Sequence, residues 1–214
     1  MKKHIGGLLI LFISCLPAQF KYSVGTGIGI QFPDFTNFNT TISDTGLAKV
    51  SQNWLPLSYD ISFKVYPSIR LGFFRFSNKL IKNKSSSGFS QYITMNGISI
   101  QTFFVFLNRF EAVFGMAPML SRINFYQEKI TAETSPFQFS TETRAGIHNT
   151  FFSYYSWVGV RFHLNTWLAL EGTLGFIKSN IKKDAWKNEK KDVDLTMGID
   201  MTKPLYRLGL VVGW

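Results

Sequence analysis

Charged side chains recur at strand-like spacing along this 214-residue chain, on the same faces as glycine and serine. Burying an isolated charge is costly, so charges that share a narrow interior must pair with each other or contact trapped water. Such a set could gate an ion path through exchangeable salt bridges, or it could form a static polar plug. A small enclosure leaves little free space, which favours the plug. The residues are Lys21, Asp60, Lys64, Arg70, Glu111, Arg161, Glu171 and Arg207.

Few residues suggest catalysis. A nucleophile needs a base within hydrogen-bond reach. In lipid A deacylases this pair looks like His-x-Ser. The pattern is absent here, because residues 163–165 are His-Leu-Asn and residues 148–150 are His-Asn-Thr. The segment 25–29 is rich in glycine, but no helix is predicted after it, so a phosphate site has no support. We therefore predict no enzyme, no cofactor and no metal site, and we assign His163 to the plug. A lipid A-modifying barrel enzyme is kept as the weakest alternative.

The segments that carry these charges alternate apolar residues with small or polar ones, and a period of two is the period of a β-strand. The last segment shows this best, because its even-numbered residues from Tyr206 to Trp214 are all apolar. Eight strands are predicted, and no amphipathic helix of useful length. They span residues 20–30, 55–65, 69–76, about 91–106, 110 to about 120, about 152–164, 168–177, and a last strand that ends at Trp214 and starts as early as Asp192.

The two faces of each predicted strand differ in size as well as in polarity. Bulky apolar residues outside and lean, partly charged residues inside suit a narrow barrel in lipid, whereas a soluble exported barrel, such as a lipocalin-like carrier, turns its apolar face inward. We predict that the bulky faces contact acyl chains and that the lean faces fill the bore. On the first strand the bulky face is Phe20, Tyr22, Val24, Ile28 and Ile30, and the lean face is Lys21, Ser23, Gly25, Gly27 and Gly29.

The connections between the predicted strands alternate strictly between long and short. The long ones are residues 33–54, 77–90, 121–151 and 178–191, and the short ones are 66–68, 107–109 and 165–167. Barrels of the bacterial outer membrane have long external loops and short periplasmic turns. Three-residue turns keep like faces opposite each other in all three hairpins. In the third hairpin this register places Arg161 directly opposite Glu171.

The N-terminus resembles an export signal. Lys2 and Lys3 precede an apolar centre and a small-residue exit at Ala18, which predicts a signal peptide over residues 1–18, with a buried N-terminal helix as the alternative. The longest apolar stretch, residues 5–16, is shorter than the ~20 residues of a spanning helix. Cys15 is the chain's single cysteine, so no disulfide framework is expected. Lipidation of Cys15 is a second, less favoured interpretation.

The chain is basic, with a formal net charge of +10. Its lysines concentrate in two predicted loops, where they could face anionic lipid head groups such as lipopolysaccharide, or could simply be solvated. An exported protein is not expected to meet nucleic acid. Phe35 and Phe38 lie in the first long loop, and the long loops could be strand extensions that contact a partner, or ordinary mobile loops. Aromatic residues near strand ends would suit interfacial girdles or plain packing: Trp54, Tyr66, Tyr92, Trp157, Trp167 and Trp214.

The last strand carries the resemblance to a family. Arg207, Gly209, Val212 and Trp214 match the terminal signal of outer-membrane barrels, which in that family is bound by the barrel assembly machinery. In length, strand number and loop asymmetry the chain resembles small eight-stranded barrels of the OmpA/OmpX type. The resemblance implies a monomeric, up-and-down transmembrane β-barrel over residues 19–214 in the bacterial outer membrane. Its role would be structural or interaction-based around a polar, closed lumen. An OmpW-like passage for small hydrophobic molecules is the alternative.

Overall fold

A computed structural model describes residues 20–43, 52–84, 87–129, 144–181, 186–188, 191–193, 199 and 201–214. The predicted signal peptide and Cys15 lie outside these residues. One short helix, α1, spans Thr36–Ser43. The strands are β1 (Tyr22–Gln31), β2 (Leu57–Tyr66), β3 (Ile69–Lys84), β4 (Ser87–Phe106), β5 (Phe110–Lys129), β6 (Arg144–His163), β7 (Leu168–Asn180), β8 (Trp186–Asn188), β9 (Lys191–Val193) and β10 (Pro204–Gly213).

Eight of these strands close into one antiparallel barrel. β1 to β7 pair in chain order, and β10 pairs with both β7 and β1. Closure satisfies every strand edge, which lipid requires. β8 and β9 form a small hairpin that joins the outer end of β6 through Ile147 and His148. The eight-stranded up-and-down barrel predicted from the sequence is therefore confirmed.

The three tight turns lie at one end of the barrel, together with the C-terminus. In the turn between β4 and β5, Leu107 and Asn108 adopt positive φ angles of 50° and 45°. In the turn between β6 and β7, the Asn165 side-chain oxygen accepts hydrogen bonds from the backbone of Trp167 and Leu168, at 2.9 and 2.7 Å. The predicted register of this hairpin is confirmed, since Arg161 pairs with Glu171. We call this the turn end and the opposite end the loop end.

Near the turn end, the bulky faces point outward as predicted. A belt of half-exposed apolar side chains surrounds the barrel on all eight strands, and polar residues occupy the interior behind it. This arrangement is stable only where the outside is not water. The belt includes Ile28, Ile61, Phe63, Phe73, Ile98, Ile100, Phe114, Met116, Val158, Val160, Leu170, Leu174, Leu208 and Leu210.

Toward the loop end, the apolar parity inverts. On β3, Arg70 faces inward and Phe73 outward, but further along the strand Phe74 and Phe76 are fully buried and Arg75 is exposed. A strand that leaves the lipid enters water, so its apolar face must turn to the interior. The inversion therefore marks the outer edge of the membrane-embedded belt.

β4 and β5 show the same inversion. Ile93 and Met95 on β4, and Ile123 and Phe125 on β5, are buried inside, while Arg122 on β5 is exposed outside. These strands continue far beyond the predicted ends, with β3 paired to β4 up to Lys84 and Ser87. Among the described residues of the predicted loops, 77–84 therefore pair with β4 and 144–151 pair with 121–128 as strand extensions. This agrees with the strand-extension interpretation and makes the predicted loop bounds wrong.

Other predictions about single elements were wrong. Phe20 is buried at the turn end, 4.9 Å from the His163 ring, instead of facing lipid. Lys21 is exposed, with its ammonium 5.6 Å from the Tyr22 ring, instead of lying in the bore. Both residues precede β1, so the strand alternation does not extend to them. The last strand starts at Pro204, because the segment that includes Asp192 forms the separate hairpin.

Helix α1 was not predicted from the sequence. Its eight residues show no long apolar stripe, and the buried Phe38, together with Phe35 just before the helix, anchors it inside the barrel mouth. The Asp34 side chain accepts a hydrogen bond from the Thr36 backbone at 2.9 Å, which satisfies one free donor at the start of the helix. Over the described part of the chain, no helix is both long enough and apolar enough to span a membrane.

Candidate functional site in the barrel interior

The lower zone of the interior, nearer the turn end, contains a continuous chain of ion pairs. Three guanidinium groups alternate with three carboxylates, so the charges of this set balance. The six residues come from six different strands, and each is at most 6% exposed. In order along the chain they are Arg70, Glu111, Arg161, Glu171, Arg207 and Asp60.

Glu111 is the branching point of this ion-pair chain. Arg70 donates two hydrogen bonds to its two carboxylate oxygens, with N–O distances of 2.5 and 3.0 Å. Arg161 Nη1 lies 3.3 Å from the same carboxylate, and His163 Nε2 lies 3.6 Å from it. Paired, charge-assisted contacts of this kind are strong and geometrically specific. Glu111 therefore holds together side chains that β3 and β6 supply.

The other half of the chain continues across the bore. Arg161 donates to Glu171 Oε2 from Nε and Nη2, at 2.9 and 2.6 Å. Arg207 also donates to Glu171, and its Nη1 lies 3.4 Å from Asp60. Thr173 accepts a further hydrogen bond from Arg207 at 3.3 Å. The charge pairs thus join adjacent and next-but-one strands around the bore, and their side chains occupy space that an open bore would need.

Aromatic rings and a glycine complete the lower zone. The Arg70 guanidinium lies 3.7 Å from the centroid of Phe103, a cation–π contact. Phe74 lies on the loop-end side of the ion pairs, with its centroid 5.2 Å from the Arg207 guanidinium. Gly25 is required because a Cβ at this position would overlap the Asp60 carboxylate. Packing and charge pairing therefore act together to close this zone.

Two of the predicted interior residues lie at its margin. Lys64 is half-buried, and its ammonium is 5.7 Å from the Phe103 centroid. His163 is 3% exposed and contacts Glu111 and Phe20. Its neighbours in this zone are ionic and aromatic. In the part of the chain that the structure covers, no group of three His, Cys, Asp or Glu side chains could hold a metal ion.

The upper zone of the interior, nearer the loop end, is mainly apolar, with a few buried polar side chains such as Gln91 and Ser153. The predicted polar lumen therefore describes the lower zone only. Phe74, Phe76, Tyr155 and Trp157 form a stack of rings whose centroids are 4.7 to 5.5 Å apart. Trp54 extends it, 5.8 Å from Phe76. Aliphatic and methionine side chains surround the stack: Ile93, Met95, Met119, Ile123, Ile177, Ile199, Met201 and Leu205.

Two elements cap the upper zone. Phe38 of α1 and Trp186 of β8 are both buried, and their ring centroids are 5.9 Å apart. Each also packs on Phe125 of β5, at 4.6 and 5.9 Å. The Gln31 side chain fastens the segment before β10 by donating to the backbone oxygens of residues 201 and 203, at 2.8 and 2.6 Å. Phe35 and Phe38 are therefore interior residues and not part of an exposed loop surface.

The aromatic girdle predicted from the sequence exists in part. Tyr66, Trp167 and Trp214 are exposed near the turn end, at 68, 54 and 67%. Trp54 and Trp157 point inward instead, so their assignment to a girdle was wrong. Trp157 has the same parity as the inward Arg161 on β6, and Trp54 precedes β2, so the strand alternation did not support an outward position for either residue.

Basic side chains gather on the outer wall above the apolar belt. Arg122, His148 and Lys187 come from β5, β6 and β8, and β6 reaches the belt only at Phe152. Burial lowers the pKa of His148, and the positive charges of Arg122 and then Lys187 lower it further. This wall is therefore cationic where it would meet the head-group region.

The terminal signal residues have structural contacts of their own. Gly209 lies directly opposite Gly27, where a Cβ would lie 2.7 Å from the Thr26 carbonyl oxygen. Val212 and Trp214 are exposed on the outer face, at 40 and 67%. Arg207 belongs to the ion-pair chain. Val212 and Trp214 are thus exposed where a partner could contact them, while Arg207 and Gly209 make contacts within the barrel.

Closure, the apolar belt and the filled interior define a transmembrane β-barrel of the bacterial outer-membrane type. No protein-family model matches this chain, and no curated protein matches it. Among solved structures it resembles Neisserial surface protein A, with 11% identity, a TM-score of 0.51, and 91% of this chain and 97% of that chain covered. It also resembles a major outer membrane protein from Thermus thermophilus, with 12% identity, a TM-score of 0.50, and coverage of 90 and 99%. At such identities the likeness is one of fold.

Proposed function

We propose that this chain is a closed outer-membrane barrel with a structural or interaction role. The belt anchors it in lipid, and the extended hairpins, helix α1 and the β8–β9 hairpin present a surface beyond the membrane. The observation that carries the proposal is the ion-pair chain, because it joins six strands inside the bore and its charges balance. A catalytic role is not proposed.

The alternative of a passage for small hydrophobic molecules has less support. The upper zone would suit such molecules, but the lower zone places desolvated charges in their path. An apolar molecule that displaced Arg161 would remove one ion-pair partner from Glu111 and one from Glu171. The geometry favours a barrel that is closed at the turn end.

Conductance tests closure. Purified protein in a planar lipid bilayer is expected to show no unit current steps. Arg161→Ala removes the central link of the ion-pair chain and should produce steps. Arg75→Ala is the matched control, because it removes the same charge from the outer wall, and it should stay silent. Regular steps from the unaltered protein would contradict the proposal.

Fractionation tests location. The belt predicts release from cell envelopes only by detergent, and gel migration that changes on heating because the folded barrel resists unfolding. Recovery of the chain in a periplasmic wash would contradict a membrane barrel. The same samples test removal of residues 1–18, which we propose as a signal peptide, by intact-mass measurement. Cross-linking at low protein concentration tests the proposed monomer.

The outer surfaces suggest two contacts. We assign the outer basic wall around Arg122 to lipopolysaccharide phosphates, because positive charge lies directly above an apolar belt. We assign Val212 and Trp214 to contact with the barrel assembly machinery, because both are exposed on the last strand. Arg122→Ala and Trp214→Ala separate the two roles, since the first should weaken lipopolysaccharide binding and the second should slow assembly.

A further inference from the structure

We propose that the upper zone is a binding chamber for small aromatic molecules that carry a hydrogen-bond acceptor, and that Phe38 and Trp186 form its removable cap. This goes beyond an anchoring role. The cap lies on the loop-end side of the chamber and the ion-pair chain is its floor, so a molecule that takes the place of the cap is bound without being passed on.

The chamber's lining is aromatic on several sides. Phe74, Phe76, Tyr155 and Trp157 present ring faces and edges to one another, within 4.7 to 5.5 Å. Aromatic pairs prefer such offset and edge-to-face geometries, and a planar ligand could adopt them in place of a capping ring. Three buried methionines, Met95, Met119 and Met201, add side chains that adapt to different shapes.

Unused hydrogen-bond donors supply the second observation. The indole nitrogens of Trp54, Trp157 and Trp186 are buried, and within the described residues they donate to no acceptor. The three side chains are between 0 and 3% exposed. An indole N–H can only donate, and a buried donor without an acceptor is unfavourable. A carbonyl oxygen on a ligand would relieve this, which is why the class includes an acceptor.

The cap is carried by two short elements. α1 has eight residues and enters the barrel through Phe35 and Phe38. β8 joins β6 through two register pairs, whereas β4 and β5 are paired along nearly their full length. The free energy needed to open an element locally is lower when it makes few backbone hydrogen bonds than when it is a strand paired along its full length. Phe38 and Trp186 can therefore leave the chamber while the barrel stays closed.

The indole protons of the full chain provide the test. The five tryptophans comprise the three chamber residues and two on the outer face, Trp167 and Trp214. Protein labelled with ¹⁵N at tryptophan, in lipid nanodiscs, is titrated with 9-fluorenone and separately with fluorene, which has the same rings without the carbonyl. We expect a saturable shift of at least one chamber indole with fluorenone, and an affinity for fluorene that is lower by about 2- to 10-fold, as one hydrogen bond predicts. Trp167 and Trp214 report partition into lipid and should change linearly.

The proposal is overturned if only the outer indoles respond, if no shift saturates, or if fluorene binds as tightly as fluorenone. Phe38→Ala tests the cap and should raise the affinity for fluorenone several-fold, because no ring then competes. Phe32→Ala is its matched control, since Phe32 is 55% exposed on the outside. An unchanged affinity in Phe38→Ala, with heat-modifiable migration retained, would contradict the cap. The measurement on the unaltered chain stands even if the variant does not fold.

Discussion

Neutralising Glu111 should strongly destabilise the barrel. Glu111 is fully buried and contacts Arg70 through two hydrogen bonds, Arg161 at 3.3 Å and His163 at 3.6 Å. Glu111→Gln leaves three buried guanidinium groups facing two carboxylates. Removing one partner of a buried ion pair costs about 3–5 kcal/mol, because the other charge stays buried without compensation. We expect a loss in that range for Glu111→Gln and for Arg70→Met separately.

The double variant separates this explanation from simple loss of contacts. With both changes the remaining set is two against two, so its charge balances again. The combined loss should be smaller than the sum of the single losses by at least ~2 kcal/mol, as expected for residues in one network. The assay is equilibrium unfolding in lipid vesicles with increasing guanidinium chloride, followed by the fluorescence of the buried tryptophans and by gel migration. Arg75→Met, on the outer wall, is the control and should stay within about 0.5 kcal/mol of the unaltered protein. Additive losses, or a loss below ~1 kcal/mol for Glu111→Gln, would refute the reasoning.

Three further outcomes follow from the structure. Gly25→Ala should destabilise the barrel by roughly 1–3 kcal/mol, because the added Cβ clashes with Asp60. Gly172→Ala should not, since nothing lies within 4 Å of a Cβ there. Equal effects of the two changes in the unfolding assay would contradict the close approach of Gly25 to Asp60. Trp214→Ala should slow barrel assembly in time-resolved gels while leaving the unfolding midpoint nearly unchanged, and normal assembly would remove this residue from the proposed signal. His148 should titrate below its ordinary pKa of 6.5 in NMR spectra. The folded state then binds the proton less well than the unfolded state, so it loses stability as pH falls through 6.5. A pKa of His148 above 6.5 would contradict the cationic wall.

The inversion of parity explains both the success and the errors of sequence interpretation. Counting alternate residues is reliable while the strand stays in one environment, and it placed Asp60, Arg161 and Glu171 inside correctly. The count also places Trp157 inside, because it has the same parity as Arg161; its assignment to a girdle rested on its position near a strand end and ignored that parity. A local signal did exist: on β3, the adjacent pair Phe73 and Phe74 is where the apolar parity changes sides. Two bulky residues in succession on a lipid-facing strand mark the point where the strand emerges into water.

Connections without a strand period were harder to predict. Helix α1 and the β8–β9 hairpin are short and have weak patterns of their own. They are held by tertiary contacts of Phe38 and Trp186 with Phe125. Short elements of this kind depend on packing more than on local propensity. Their positions could be found only after the barrel mouth was known.

The sequence by itself determined the strand number, the alternation of long and short connections, the outward face of the belt and the pairing of Arg161 with Glu171. All of these depend on local periodicity and on turn length, which are properties of neighbouring residues. Only the tertiary structure decided that Arg70 on β3 reaches Glu111 on β5, a strand that is not its neighbour. Such contacts depend on how the closed sheet brings inward side chains together across the bore, and no single strand carries that information. The same closure decided that the upper half of the interior is aromatic while the lower half is ionic.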